Sequence, residues 1–387
     1  MTQNGSVPGE AAALAAGLPP TETLLPDLPP DPLFDPAGRP VSRDAAVAAL
    51  RRRLSTIQAE VQAAFENGGV TGLEAARELA RLMDGLIVAA HGYSLAASAE
   101  DDVPAARFAL VATGGYGRGV LAPFSDIDLL FVSEAPLDAA GRRAVEFMLY
   151  LLWDLGLKVG HATRSVAECL EEARGDATVQ TALLDSRFLS GDRAAYRAFA
   201  AGFAAARAEW GIGQFLAAKR AERQARHARF GDSPYLVEPH LKEGRGGLRD
   251  LQTMYWLARY AFGVEKMPGL VGPDSPGGGL LTAQEARAFK RAWNFVWTVR
   301  FHLHYVTGRA EERLTFDLQP VVGARMNYTH HGRQAGVERF MKHLFLTARD
   351  VVRLSRLLEP AIERAALGLP AVQRTGDAAL AAAGVVM

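Results

Sequence analysis

The chain has 387 residues, 49% hydrophobic and 22% charged, the composition of a globular protein with room for a catalytic core and a second domain. Lys plus Arg and Asp plus Glu both number 43, so the basic excess of a bulk polyanion binder is missing and no nucleic-acid partner is expected. A single cysteine, Cys169, excludes an intrachain disulfide and a cysteine-based zinc site, and no apolar run reaches membrane-span length, so a soluble cytoplasmic protein is expected.

Residues 1–41 hold nine of the twenty prolines and little periodic apolar pattern, which predicts a disordered Pro-rich tail. From Ser42 the pattern turns helical: Leu50, Leu54, Ile57, Val61 and Phe65 recur at spacings of three and four, up to the stop Asn67-Gly68-Gly69. A second amphipathic helix over about 71–97 completes an N-terminal helical segment, 42–100. The stretch 101–192 differs. Residues 108–113 form a short apolar run ending in two glycines, as a buried strand entering a tight turn does. Further strands are expected over 127–132 and 157–163, a helix over 142–155, a helical or transitional piece over 178–184 and an extended piece over 187–189. From 193 to 370 the pattern is helical, with helices over 193–209, 212–229, 248–261, 282–307 and 335–365 and loops over 231–247 and 269–279. Lys219, Arg220, Arg223, Arg226 and Arg229 form a basic stripe read as a solvated face, and Trp293, Trp297, Phe301 and His304 read as the core of a long helix. Residues 371–387 show no closing element and read as a frayed end, or as a chain cut from a longer protein.

Two features in the mixed α/β stretch carry chemistry. Thr113-Gly114-Gly115-Tyr116-Gly117-Arg118-Gly119 follows a strand with paired glycines, which let the backbone approach a phosphate and aim N–H groups at it. Such a turn is common by itself, and it is neither a P-loop nor a clean dinucleotide fingerprint. The second feature is Ser125-Asp126-Ile127-Asp128-Leu129-Leu130. At strand spacing Asp126 and Asp128 project together while Ile127 points into the core. Two carboxylates on one face repel each other unless a cation joins them, and oxygen ligands of this kind suit Mg²⁺ or Mn²⁺ bridged to substrate phosphates. The alternative is a solvated strand end with two exposed acids; the apolar flank 129–132 weighs against it.

Paired glycines, ten intervening residues after Gly115, and D-x-D on the next strand together resemble the DNA polymerase β-like nucleotidyltransferase superfamily. The resemblance implies an α+β nucleotidyltransferase core, here with an appended all-helical domain, and a two-metal in-line displacement. Asp126 and Asp128 would hold the metal ions, the Gly114-Gly115 turn would cradle the β- and γ-phosphates, and Ser125 or Arg118 would be supporting donors. That superfamily supplies a third carboxylate from a neighbouring strand. The third expected strand reads Lys158-Val159-Gly160-His161 and has none, so Asp185 is the candidate third catalytic and metal-binding acid, with a helix-end or ion-pair acid as the alternative.

The likeness reaches beyond this centre. Ala112-Thr113-Gly114-Gly115-Tyr116-Gly117-Arg118-Gly119 and Pro123-Phe124-Ser125-Asp126-Ile127-Asp128 closely resemble the bacterial PII uridylyltransferase/uridylyl-removing enzymes. So do Glu238-Pro239-His240-Leu241-Lys242-Glu243-Gly244-Arg245-Gly246-Gly247-Leu248-Arg249-Asp250 and the 295–304 stretch, and the resemblance covers about residues 45–360. It implies transfer of UMP from UTP to a tyrosine of the trimeric nitrogen-signalling protein PII, with release of pyrophosphate. Full-length members also carry an HD hydrolase domain that removes UMP and ACT domains that sense glutamine. None of the nine histidines here is followed by Asp, so the HD signature is absent and the transferase half alone is expected. Lys242, Arg245 and Arg249 surround a Gly-rich turn at a helix start, an anion grip for the triphosphate or an acidic partner face; a structural turn with solvated charges is the alternative. Two rivals stand beside this reading: an adenylyltransferase of another protein or a small molecule, and an inactive nucleotide-binding regulatory module.

Overall fold

The computed structural model describes Leu25, residues 32–99 and residues 107–369. Leu25 apart, the expected tail up to residue 31 and the expected frayed end over 371–387 lie outside the described residues. Residues 32–41 depart from the expected disorder. Leu33 is buried, Phe34 and Pro40 form an antiparallel bridge, and Tyr93 Oη donates to Val41 O at 2.9 Å. An apolar anchor and one hydrogen bond are enough to hold this Pro-bearing stretch against the helices behind it.

Two long helices come first. Helix α1 (Arg43–Glu66) is capped by Ser42 and buries Leu50, Leu54, Ile57, Val61 and Phe65, the periodic positions read from the sequence. Helix α2 (Gly72–Ala97) opens on a Thr71/Glu74 capping box. Its first amides find acceptors on a distant helix: Gly72 N donates to Thr298 Oγ1 at 3.1 Å and Leu73 N to Asn294 Oδ1 at 3.2 Å.

The α/β region contains strand β1 (Ala109–Ala112), one helical turn α3 (Gly114–Gly117), β2 (Ile127–Ser133), α4 (Ala139–Asp154), β3 (Val159–Ser165), α5 (Val166–Gly175), α6 (Ala177–Leu184) and β4 (Arg187–Gly191). The four strands form one sheet in the order β3-β2-β1-β4. β1 runs antiparallel to β2 and β4, and β2 runs parallel to β3. β1 and most of β2 are buried, so continuous apolar runs form the sheet centre, while β3 is largely exposed at one edge. Helix α5 has no counterpart among the sequence expectations, although its capping box, Ser165 with Glu168, is a readable start signal.

Helices α7 (Arg193–Trp210), α8 (Ile212–Phe230), α9 (Leu248–Phe262), α10 (Ala283–Thr307), α11 (Leu318–Arg325) and α12 (Gly336–Ala366) follow, with one 3₁₀ turn at Met267–Leu270. The main hydrophobic core runs without a break from α1 and α2 through the sheet into α9, α10 and α12, and a smaller cluster lies among Leu241, Val299, Leu314, Val322 and Phe340. Trp297, Phe301 and His304 are buried on α10, as their spacing predicts. The basic stripe on α8 is a solvated face only at Arg229. Lys219 and Arg226 are buried, and Arg220 and Arg223 pair with Glu359 on α12, Arg220 also reaching Glu363 at 2.8 Å. Acids more than a hundred residues away turn the stripe into a helix–helix joint, a pairing that no local pattern reveals. No helix among the described residues is long and apolar enough to cross a membrane.

Candidate active site

The site is built where β1 ends against the start of β2. Thr113 N donates to Asp128 O at 3.0 Å, which pins the chain to β2 just before it turns at Gly114. Gly114 has φ +57°, a conformation that L side chains seldom adopt, and the single turn α3 that follows is closed by Gly117 N donating to Thr113 O at 2.7 Å. The Asp128 carboxylate sits between two glycines. A Cβ on Gly114 would lie 2.6 Å from Asp128 Oδ2, and one on Gly160 of β3 would lie 2.6 Å from Oδ1. Both positions must therefore lack a side chain if the carboxylate is to stand where it does. The register that pairs Asp128 with Gly160 makes this a property of the sheet.

Asp126 precedes β2, one residue outside the strand, and is exposed. It is near enough to act on its neighbour: burial first, and then the Asp126 charge, push the Asp128 carboxyl above its ordinary range, while Lys242 and Arg118 oppose them. Asp126 and Asp128 thus act on each other, and the fold brings Lys242 to them from more than a hundred residues away. Burial, followed by the charges of Arg300 and Arg249, pushes Lys242 below the usual lysine range. A half-buried ammonium crowded by other cations beside two acids is suited to an anionic ligand.

The other expected donors divide. Ser125 lies in a turn, with its N–H donating to Ala122 O at 3.1 Å. Phe124 in that turn has φ +63° and is exposed beside Asp126. The turn is held from α10 by the buried His304, whose Nδ1 contacts the Pro123 carbonyl, and whose far side faces Glu312. Burial raises Glu312, but Arg300 and His304 outweigh it and bring its carboxyl down to about 2. Arg249 stacks 5.4 Å from the centre of Trp256 and pairs with Glu243 at 3.1 Å. Arg245 belongs elsewhere. It pairs with Asp232 and lines a separate cavity of about 590 Å³ between α8 and α12 with Arg223, His227 and Glu359. Its assignment to the nucleotide is corrected accordingly.

Asp185 requires a second correction. It is fully buried at the end of α6, and its Oδ2 accepts from Arg118 and, at 2.8 Å, from Trp256 Nε1 on α9. Burial raises its carboxyl, while Arg118 and Arg259 pull it back. Its backbone carbonyl presses on Gly117, where a Cβ would come within 2.1 Å of it. Asp185 is therefore an ion-pair acid behind the glycine turn, the alternative left open by the sequence. No group of three His, Cys, Asp or Glu side chains suited to a metal ion occurs among the described residues. Arg118, the partner of Asp185, is itself buried and lies 5.3 Å from the centre of Trp256, so it reaches Asp128 by its field and supports the turn from below.

Three residues that the sequence reading did not weigh complete the frame. Gly160 stands inside a strand, where a glycine is a signal of close approach. Arg187 ties the turn to α2: it pairs with Asp84 at 2.6 Å and donates to the carbonyls of Tyr116 at 3.1 Å and Gly117 at 3.3 Å. Trp256 carries Lys219 at 5.0 Å as well as Arg118 and Arg249 around its ring.

Two acids of raised mutual energy, one of them kept bare by flanking glycines, fit divalent cations as hard oxygen donors do. With a lysine facing them, they suit the handling of a polyphosphate by charge and position. On an α+β core of this kind, that chemistry defines a nucleotidyltransferase. Residues 95–185 match the family of nucleotidyltransferase domains and residues 214–358 that of GlnD PII-uridylyltransferases. A relative from Gluconobacter oxydans is 50% identical over 330 residues, and one from Azospirillum brasilense is 46% identical over 323. A third, from Rhodospirillum rubrum, is 45% identical over 327 residues; all three are bifunctional uridylyltransferase/uridylyl-removing enzymes by name. Each alignment covers 83% of this chain and 34% of the relative, so the chain spans about a third of their length. Over most of its length the chain is thus similar to one segment of the bifunctional uridylyltransferase/uridylyl-removing enzymes.

Proposed function

We propose that this chain transfers UMP from UTP to a tyrosine hydroxyl of the PII protein, releasing pyrophosphate, in the cytoplasm. The observation that carries the reading is the Asp128 carboxylate, held bare between Gly114 and Gly160, charge-coupled to Asp126 and faced by Lys242. The names of the relatives supply the nucleotide and the acceptor.

In the reaction a tyrosine oxygen attacks the α-phosphorus of UTP, the bond from that phosphorus to the bridging oxygen breaks, and pyrophosphate leaves. Asp126 and Asp128 would hold Mg²⁺ or Mn²⁺, which supplies Lewis-acid polarisation and neutralises phosphate charge. Gly114 and Gly115 let the backbone N–H groups of the turn approach the triphosphate. Lys242 adds a positive charge opposite the acids, with Arg249 beside it. Arg118 and Asp185 keep the turn rigid, so that catalysis rests on position and preorganised charge rather than on a protein nucleophile. Removal of UMP is not part of the proposal for this chain.

The test is incubation of the purified chain with PII, Mg²⁺ and either α-labelled UTP or α-labelled ATP. Label from UTP should appear on PII and be lost in Asp126→Asn and Asp128→Asn chains that still fold. Exclusive transfer of AMP would refute the reading in favour of an adenylyltransferase, and unchanged transfer by the double Asn variant would refute the site.

A further inference from the structure

Strand β3 ends the sheet: among the described residues no strand pairs with its outer side. Six of its seven residues are at least partly exposed on the edge nearest the candidate site, and edge strands of this kind offer unpaired N–H and C=O groups to another extended segment. The two faces at this edge differ. Gly160 lies on the Asp128 face, because its missing Cβ points at Asp128 Oδ1. His161, the next residue, therefore points to the opposite face, where its ring meets Trp153 of α4 at 6.2 Å. Trp153 in turn meets Tyr150 at 5.5 Å, edge to face, and these two aromatics are 44% and 51% exposed. Behind them a groove of about 510 Å³ runs between α4 and β3, floored by Leu149, Val145 and Leu137 and rimmed by charged residues such as Glu146 and Arg164. An exposed aromatic ladder continuing into a groove with an apolar wall and a charged rim has the composition of a protein interface, in which aromatics of this kind are anchors.

We infer that β3 is the docking edge for the acceptor protein, which adds an extended segment alongside it, its tyrosine on the Asp128 face and an adjacent side chain on the Tyr150–Trp153–His161 ladder. This rests on the proposed transfer to a protein tyrosine. Strand alternation supplies the geometry: consecutive residues of a paired segment fall on opposite faces, so one faces the acids while its neighbour faces the ladder. A segment beyond β3 lies two strand spacings, about 10 Å, from the Asp128 backbone, a span that a tyrosyl and an aspartyl side chain cover between them. Gly160 leaves that path clear of any side chain. Main-chain pairing supplies register, and the ladder supplies the preference for an apolar or aromatic neighbour of the tyrosine.

The experiment compares the chain with a Tyr150→Ala/Trp153→Ala variant, with Tyr235→Ala as an exposed-aromatic control, in steady-state transfer of UMP to PII. The double variant should raise the KM for PII about tenfold or more and leave the KM for UTP and kcat within about twofold. Amide hydrogen exchange of the unaltered chain with PII and a non-hydrolysable UTP analogue should show protection along Val159–Ser165. Transfer by the unaltered chain, with an unchanged KM for PII in the double variant or with no protection along β3, overturns the docking edge alone. Absence of any UMP transfer by the unaltered chain overturns the functional reading and the docking edge with it.

Discussion

Gly160→Ala is the sharpest single test of how the site is built. The position has no positive φ, so the backbone accepts alanine, and the exposed edge strand loses nothing in pairing. The added methyl carbon would stand 2.6 Å from Asp128 Oδ1, about 0.8 Å short of the 3.4 Å at which ordinary contact begins. The register over 127–133 and 159–165 holds both backbones, so the carboxylate must swing by most of an ångström to make room. Displacement of a catalytic group by about 1 Å costs on the order of 100-fold in rate. The expected outcome is a folded chain with a melting temperature near that of the unaltered protein, UMP transfer down roughly 100-fold, and a higher Mg²⁺ concentration for half-maximal rate. Gly92→Ala, on α2 with nothing within 4 Å of the added carbon, is the control and should leave transfer unchanged. Labelled UTP transfer across a Mg²⁺ titration, with thermal melts beside it, reads both quantities. Wild-type rates and Mg²⁺ dependence in the Gly160→Ala chain would show that Asp128 is not confined as described, and the metal assignment would fall with it.

Asp185→Asn leaves the buried Arg118 without its counter-charge but also removes a carboxylate whose charge burial disfavours, so in urea melts it should cost less than the roughly 3–5 kcal/mol of a fully broken buried pair, while residual transfer keeps its Mg²⁺ requirement. A stable Asp185→Asn chain with a tenfold weaker Mg²⁺ response would restore Asp185 as a metal ligand. Asp128 is held above its ordinary range, so in the metal-free chain its favourable contribution exists at low pH and is lost as pH rises through the folded value. Asp128→Asn should therefore melt higher than the unaltered chain in EDTA at neutral pH, with the gap closing as pH falls; a gap that widens on acidification contradicts the sign. His91 and His302 run the other way. Burial depresses both to about 4, so their contribution is complete above the unfolded value of 6.5 and is lost as pH falls towards 4. Each is worth at most about 3 kcal/mol at the acid end, and His91→Phe, if it packs, should flatten part of the loss of stability between pH 6.5 and 4.

The readable part of the site was local in sequence. Asp126, Asp128 and the Gly114-Gly115 turn announce themselves within sixteen residues, because strand alternation and the freedom of glycine are properties of neighbouring residues. Asp185 was misplaced for the opposite reason: Arg118 lies 67 residues before it and Trp256 lies 71 after it, and no periodicity links them. The same limit hid the pairing of Arg220 and Arg223 on α8, whose acid Glu359 sits on α12. Lys242 acts on Asp128 while Arg245, three residues on, pairs with Asp232, because one motif sends neighbouring side chains in different directions when it forms a turn rather than a helix or strand. Helix boundaries were legible to within one or two residues where amphipathic periodicity was long, as in α8, α9 and α10, and the short α5 escaped although its cap was present.

The bond between Asp185 and Trp256 crosses from one matched family segment to the other, since Asp185 closes the first and Trp256 lies inside the second. The two segments are consequently not portable parts. A chimaera that joins this α/β unit to foreign helices would keep the Arg118 pair but leave the buried Asp185 carboxylate one hydrogen bond short, a cost of about 1.5–3 kcal/mol before any reaction is attempted. A graft that carries Trp256 and the first turns of α9 along with the sheet would escape that penalty. Natural or designed exchange between members of this fold should therefore break the chain after α9 rather than at the apparent seam behind β4.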